Sequence, residues 1–187
     1  MIYKEATLKK YLDDLAAKLP TPGGGSAAAL TAALGVSLIS MVVNFTLGKP
    51  KYAKYENTLK EIIKKSEQLR EEFFNLVDLD VAAYASKNLQ DALNVPLMVC
   101  RLCFEGIKLC PPLIKKGNIN LISDVAVAAI LLESAFASAC SNVDINLKSI
   151  NDKKLTKDIR KELTHKEKVV KTIRLQTEVK VGKIIRG

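Results

Sequence analysis

Apolar residues along this chain recur at steps of three and four, the spacing of one helix face, and not in the alternation of a half-buried strand. Leu8, Tyr11, Leu12, Leu15, Ala16 and Leu19 form the first stripe, with Thr7 placed to cap it and Pro20 and Pro22 to end it. After three glycines, Ser26 to Leu47 reads as a second helix with Ser26 at its cap. Pro50 opens a third, carried to about Val77 along Tyr52, Tyr55, Leu59, Ile62, Ile63, Leu69 and Phe73. Asp78–Leu93 forms a fourth segment. Pro96 starts or bends a helix that reaches about Leu109, where Pro111 and Pro112 disturb it. Gly117-Asn118 makes a turn, Ser123 or Asn120 caps a helix to Leu147, and a polar helix spans about Lys154–Lys180. The pattern predicts an all-α protein, a multihelical bundle of six to seven helices. It forms one domain over 1–187 that includes the basic C-terminal helix within 151–187.

Two of these helices are distinguished by what they lack. Ala27, Ala28, Ala29, Ala32, Ala33 and Gly35 leave the second with little bulk, and Ala126, Ala128, Ala129, Ala135, Ala137 and Ala139 do the same for the helix ending at Leu147. Small side chains let helix axes approach closely, so both belong in the interior. Alanine buries little apolar area, so such a core needs other helices or another subunit. A homodimer or dimer-based oligomer is the expectation.

Charge sharpens the picture at one end only. Residues 1–147 carry 16 Lys/Arg against 15 Asp/Glu, whereas residues 148–187 carry 13 against 5. A nucleic-acid binder working through this basic tail is the reading to weigh, but the tail keeps helical patterning and the body holds no nucleic-acid motif. Solvated basic faces are the simpler use, and nucleic acid is not an expected partner. Cys100 and Cys103 have metal-type spacing, yet no second pair accompanies them and the one histidine, His165, is remote. Free buried thiols of a reducing, cytoplasmic setting are expected, with no metal. No apolar run of about eighteen residues escapes interruption by polar groups or glycine, and the charged N-terminus is unlike a secretory signal, so no membrane is expected.

Three polar features stand out against this apolar background. Thr21-Pro22-Gly23-Gly24-Gly25-Ser26 precedes the alanine-rich helix, and three glycines cost backbone entropy that a plain turn does not require. Their amides at a helix start suit an anion or a carbonyl oxygen; the loop lacks the Lys-Ser/Thr ending and preceding strand of a P-loop. Asp80 sits among Leu79, Val81, Ala82 and Ala83, with Tyr84 one turn on. A carboxyl group in such surroundings holds its proton more tightly and suits proton transfer. Asn118, Asn120, Ser123 and Asp124 gather before and at the start of the long helix, and Asn142 and Asn146 share a face at its other end. Amides buried there must pair with neighbours or with a ligand.

Taken together, Pro20-Thr21-Pro22-Gly23-Gly24-Gly25-Ser26-Ala27-Ala28-Ala29, Met41-Val42-Val43-Asn44-Phe45-Thr46, Gly117-Asn118-Ile119-Asn120-Leu121-Ile122-Ser123-Asp124 and Asn142-Val143-Asp144-Ile145-Asn146-Leu147 resemble the formiminotetrahydrofolate cyclodeaminase and methenyltetrahydrofolate cyclohydrolase family. The resemblance runs from about residue 5 to 150. It implies a helical homodimer or larger assembly with folate at or near the subunit contacts, and no cofactor beyond the tetrahydrofolate derivative that is the substrate. By position it implies Asp80, Tyr84 and Asp124 as catalytic residues. Gly23, Gly24, Gly25, Ser26, Asn44, Lys49, Asn118, Asn120, Ser123, Asn142 and Asn146 are implied as substrate contacts. The implied reaction is formation of 5,10-methenyltetrahydrofolate and ammonia from the formimino compound. The alternatives are hydrolysis of the methenyl compound to 10-formyltetrahydrofolate, or a non-catalytic folate-binding or scaffolding role. That last alternative is motivated by a departure: Ala85–Asn94 is short and lacks the Leu-Pro-Lys of relatives, whose lysine Lys87, Lys49 or Lys51 would have to replace.

Overall fold

A computed structural model describes residues 2–187, and these contain seven α-helices and no strand. They are α1 (Leu8–Ala16), α2 (Gly24–Asn44), α3 (Glu56–Ser86), α4 (Leu89–Ile107), α5 (Cys110–Lys116), α6 (Ile122–Leu147) and α7 (Lys153–Arg186), joined in part by short 3-10 turns at Tyr3–Glu5, Pro50–Tyr55 and Ile119–Leu121. The all-α expectation and the helix number hold. Several boundaries shift for identifiable reasons.

The expected break at Asp78 does not occur. Phe73, Leu76, Val77 and Ala83 all bury against the core, so the apolar stripe runs through Asp78 and Asp80 without interruption. Instead α3 ends at Lys87, which adopts a left-handed backbone at φ 56°. Asn88 then caps α4 by accepting the N–H groups of Gln90 and Asp91. The stretch without Leu-Pro-Lys is thus a tight turn between two helices. Pro96 lies inside α4 rather than at its start. A proline there leaves the carbonyl four residues earlier without its helical donor; that carbonyl belongs to Ala92, and Asn146 Nδ2 of α6 donates to it at 2.6 Å. Pro111 and Pro112 open α5, where the first turn needs no N–H from them.

α2 and α6 form the centre, running antiparallel and packed along their small-residue faces. Ala28, Ala29, Ala32, Val36 and Ile39 of α2 and Ala128, Ala129, Leu132, Ala135 and Ala139 of α6 are buried. A Cβ on Gly35 would stand 3.0 Å from the Leu132 side chain and 3.3 Å from the Ala128 carbonyl, so glycine is what allows this crossing. α3 packs on α2 from one side, α4 and α7 on α6 from the other. α7 buries Ile159, Leu163, Val170 and Val181 and turns most of its lysines to solvent. Cys100, Cys103 and Cys110 are buried free thiols and Cys140 is half-buried; burial alone pushes the Cys110 thiol up to about 12.

α2 and the helical stretch Ile119–Leu147 are each long and apolar enough to cross a bilayer by length and composition, with polar residues interrupting both. α2 is mostly buried inside the bundle. The α6 stretch is only 39% buried, and this leaves Val127, Ile130 and Ile145 exposed.

Candidate functional site

The glycine loop holds an anion, and that anion is the protein's own. Gly23 occupies the N-cap of α2, and Ser26 is the third helical residue rather than the cap. The Ser26 N–H donates to Asp80 Oδ2 at 2.9 Å. A Cβ on Gly25 would overlap Asp80 Oδ1 and stand 3.0 Å from Oδ2, so the carboxyl group lies directly on the bare backbone of the first helical turn. Gly25 is glycine because Asp80 takes the place of its side chain. Gly24 is less constrained, because its Cβ would meet Asn142 of α6 at 3.5 Å, an ordinary contact.

Two influences oppose each other on Asp80. Burial holds its carboxyl above the usual carboxylate range, and the Ser26 N–H pulls it partway back. The result is a half-buried carboxyl group at the positive end of α2, with a raised proton affinity. Tyr84, one turn along α3, is 61% exposed. Asp78 faces elsewhere and accepts the Tyr3 N–H at 2.6 Å and the Lys4 N–H at 3.3 Å. Asn142 donates to the Ser138 carbonyl one turn back at 2.9 Å. The Asn146 amide is committed to Ala92, a pairing with a neighbour rather than with a ligand.

The second group of candidates lies at the other end of α2. Thr46, just past α2, donates to the Val42 carbonyl and accepts the Asn118 N–H at 2.9 Å. Asn118 Nδ2 reaches the Phe45 carbonyl at 3.3 Å, and Asn118 Oδ1 accepts the Asn120 N–H at 3.2 Å. Asn118 therefore caps the Ile119–Leu121 turn, and α6 begins at Ile122 with no side-chain cap, against the expectation for Asn120 or Ser123. Asn44, Lys49, Asn120 and Ser123 are exposed and Asp124 is half-buried. Lys49 borders a cavity of about 80 Å³ with Thr46 and Tyr52, smaller than the roughly 300 Å³ at which ligand pockets begin.

One protomer does not unite these two groups. α2 has 21 residues, so at about 1.5 Å per residue its ends are roughly 30 Å apart. Gly23–Ser26, Asp80, Tyr84, Asn142 and Asn146 gather at one end, and Asn44, Lys49, Asn118, Asn120, Ser123 and Asp124 at the other. The implied catalytic residues Asp80 and Asp124 therefore do not meet within a single chain. α6 runs antiparallel to α2, so its start and its finish serve opposite ends.

Sequence reasoning missed Tyr11, Thr46 and Tyr52. Tyr11 was read as part of a core stripe, yet its hydroxyl lies 3.1 Å from Ser26 Oγ. Tyr52 accepts the Ile119 N–H at 3.1 Å. The available signal was a hydroxyl within an otherwise apolar stripe, since a buried tyrosine needs a polar partner.

Comparison with known proteins adds a consistent set of likenesses. The family described as formiminotransferase-cyclodeaminase matches residues 7–87 and 85–165. A methenyltetrahydrofolate cyclohydrolase of Methylorubrum extorquens is 38% identical over 180 residues, covering 84% of this chain and 86% of that protein. The formimidoyltransferase-cyclodeaminase of Mus musculus is 30% identical over 184 residues, but this chain spans only 33% of it. A crystal structure of formiminotetrahydrofolate cyclodeaminase from Thermotoga maritima superposes with a TM-score of 0.92 at 30% identity, covering 97% of this chain and 98% of that one.

Proposed function

Because the chain belongs to the formiminotransferase-cyclodeaminase family, we propose that it works on the one-carbon bridge of tetrahydrofolate with Asp80 as the proton-transfer group. The observation that carries this reading is the Asp80 carboxyl, half-buried on the Gly25–Ser26 backbone and raised in proton affinity. A general acid/base needs that poise near neutral pH. In the cyclohydrolase direction, water adds to the methenyl carbon of 5,10-methenyltetrahydrofolate. Asp80 accepts a proton from that water and returns one to N5 as the C–N5 bond opens, leaving 10-formyltetrahydrofolate and a proton released to solvent. The greater identity to the Methylorubrum cyclohydrolase, along nearly the whole of both chains, favours this direction.

The second reading is cyclodeaminase, favoured by the likeness to the Thermotoga structure. There N10 attacks the protonated formimino carbon, Asp80 carries the N10 proton to the departing nitrogen, and ammonia leaves as the methenyl bridge closes. Either way the residues orient and move protons, and the substrate supplies the one-carbon unit.

The working unit in this proposal is a homodimer. Val127 and Ile130 of α6 and Leu34 of α2 are exposed on the central helix pair, beside the small residues Ser134, Ala137 and Ser141. A two-fold axis across this face sets each α2 N-terminus opposite its partner's C-terminal end. Asp80 of one protomer then meets the Asn118–Asp124 region of the other, and Asp124 acts across the contact. Lys49 and Lys51 add charge that attracts the anionic glutamate tail of folate.

The test is a spectrophotometric assay of both reactions on wild type and Asp80→Asn. One activity in wild type, reduced roughly 10²–10⁴-fold by the substitution, supports the proposal; retention of more than half the rate removes Asp80 from the mechanism. Folate binding with neither reaction favours the non-catalytic reading, in which the tight α3–α4 turn has cost the chemistry. Salt-sensitive RNA or DNA binding without folate binding favours the basic tail as the functional element.

A further inference from the structure

Behind Asp80 lies a buried arrangement that the reaction does not require by itself. Ser26 is fully enclosed and carries two donors beside the carboxyl group, its backbone N–H and its hydroxyl. The N–H is spent on Asp80 Oδ2 at 2.9 Å. The hydroxyl is not: among the described residues its hydrogen-bond partner is the Tyr11 hydroxyl, 3.1 Å away on α1. Tyr11 and Ser26 are both buried. Either hydroxyl can be the donor in this buried pair.

Tyr11 is itself held rigidly. Its ring meets Tyr3 edge-to-face with centroids 5.4 Å apart, and the Tyr3 hydroxyl donates to Asp14 Oδ2 at 2.9 Å. Lys10 closes that group with 2.6 and 2.7 Å contacts to Asp14. A phenylalanine would fill the same space in α1, so packing alone does not call for the hydroxyl.

We propose that Tyr11 is a positioning residue for Asp80: by accepting the Ser26 hydroxyl proton it keeps that donor off the carboxyl group, which is left with a single backbone N–H. Hydrogen bonds to an ionised carboxylate favour the ionised form, and a serine hydroxyl turned onto Asp80 would add to the pull of the N–H. Tyr11 prevents this and preserves the readiness of Asp80 to take a proton. The direction of the Asp80 shift agrees, since burial outweighs the Ser26 N–H. The inference rests on the reading of Asp80 as the proton-transfer group.

The charged groups on neighbouring elements are engaged elsewhere. On α1, Asp14 is paired with Lys10, and on α3 itself Asp78 accepts backbone N–H groups of Tyr3 and Lys4. α2 contributes only backbone and Ser26, and α6 contributes the neutral Asn142 beyond Gly24. Asp91 of α4 lines a separate groove with Leu79, Ala82 and Ser86. Tyr84 follows Asp80 by one turn of α3 but is exposed, and Ser26 is the buried hydroxyl adjoining the N–H that Asp80 accepts.

The experiment is a carboxyl-carbon NMR titration of the full-length protein labelled at aspartate, with Asp80→Asn identifying the signal. Tyr11→Phe frees the Ser26 hydroxyl to rotate onto Asp80, and the midpoint is expected to fall by about one pH unit. The double variant Tyr11→Phe/Ser26→Ala is expected to restore it, which loss of packing would not do. Ser26→Ala alone is expected to leave the midpoint unmoved, and this arm needs no change at Tyr11. An unshifted or raised midpoint in Tyr11→Phe overturns the inference, as does a fall that persists in the double variant or a rise in Ser26→Ala alone. Activity retained by Asp80→Asn would instead defeat the catalytic reading, while the titration still judges Tyr11.

Discussion

The two ends of α2 present the same ingredients, a helix terminus surrounded by polar side chains, and use them oppositely. At the C-terminal end the polar groups satisfy one another. Thr46 bridges the Val42 carbonyl and the Asn118 N–H, Asn118 spans Phe45 and Asn120, and Tyr52 takes the Ile119 N–H. At the N-terminal end a carboxyl group is pressed onto bare glycine backbone, raised in proton affinity, with Tyr84 exposed beside it. The buried polar groups of the first end hold a turn in place. The second keeps a titratable group in an unfavourable setting, a feature that clusters at functional sites.

The hardest break in this comparison is at Gly25. A single methyl group there overlaps Asp80 Oδ1 and must push the carboxyl off the helix start. Gly25→Ala is expected to reduce turnover by roughly 10²-fold or more, as loss of the general acid/base would. Gly24→Ala places its methyl 3.5 Å from Asn142 and is expected to keep most of the activity. Steady-state assays of the two variants side by side check this; equal loss in both would mean that the whole loop, and not the Asp80 seat, is what matters.

Subunit mixing asks whether the two ends cooperate across a dimer. If Asp80 of one protomer works with Asp124 of its partner, Asp80→Asn and Asp124→Asn homodimers each have two damaged sites. A heterodimer then has one site damaged twice and one left intact. Refolding an equal mixture is expected to recover roughly a quarter of wild-type activity. Recovery no greater than the sum of the separate variants would place the two aspartates in unrelated roles.

How much of this was legible beforehand follows from the range of each signal. The helices announced themselves through local three-four periodicity, and the small-residue faces of α2 and α6 gave the central pair. The α3–α4 boundary did not, because Asp78 and Asp80 resemble a helix start locally while Phe73, Leu76, Val77 and Ala83 continue one buried stripe. The expense of three glycines was readable, but not that the occupant would be a carboxylate 55 positions after Gly25, a contact between distant parts of the chain. Asn146 looked like a ligand contact for the same reason: its partner is a carbonyl released by Pro96, 54 positions earlier in the chain. The separation of the two candidate clusters needed only the length of α2, and resemblance to a family drew them together before that length was applied.

The smallest expected effect concerns stability, and it should differ in sign between the ends. Asn118→Ala removes side-chain bonds to the Phe45 carbonyl and the Asn120 N–H, and is expected to cost about 1–2 kcal/mol. Asp80→Asn keeps an oxygen for the Ser26 N–H and removes a group whose ionised form is disfavoured by burial. Because the folded protein raises the Asp80 pKa, it binds that proton more tightly than the unfolded chain does. Asp80 therefore costs no stability below its unfolded pKa, costs progressively more as pH rises towards the folded value, and costs the full amount above it. Asp80→Asn should gain stability relative to wild type over that interval and hold a constant advantage above the folded value, while Asn118→Ala should be destabilised by nearly the same amount throughout. Thermal unfolding of the three proteins from pH 4 to 8 measures both trends. A pH-independent difference between Asp80→Asn and wild type would mean that the carboxyl group is not held in an unfavourable setting, and the contrast between the two ends of α2 would lose its electrostatic basis.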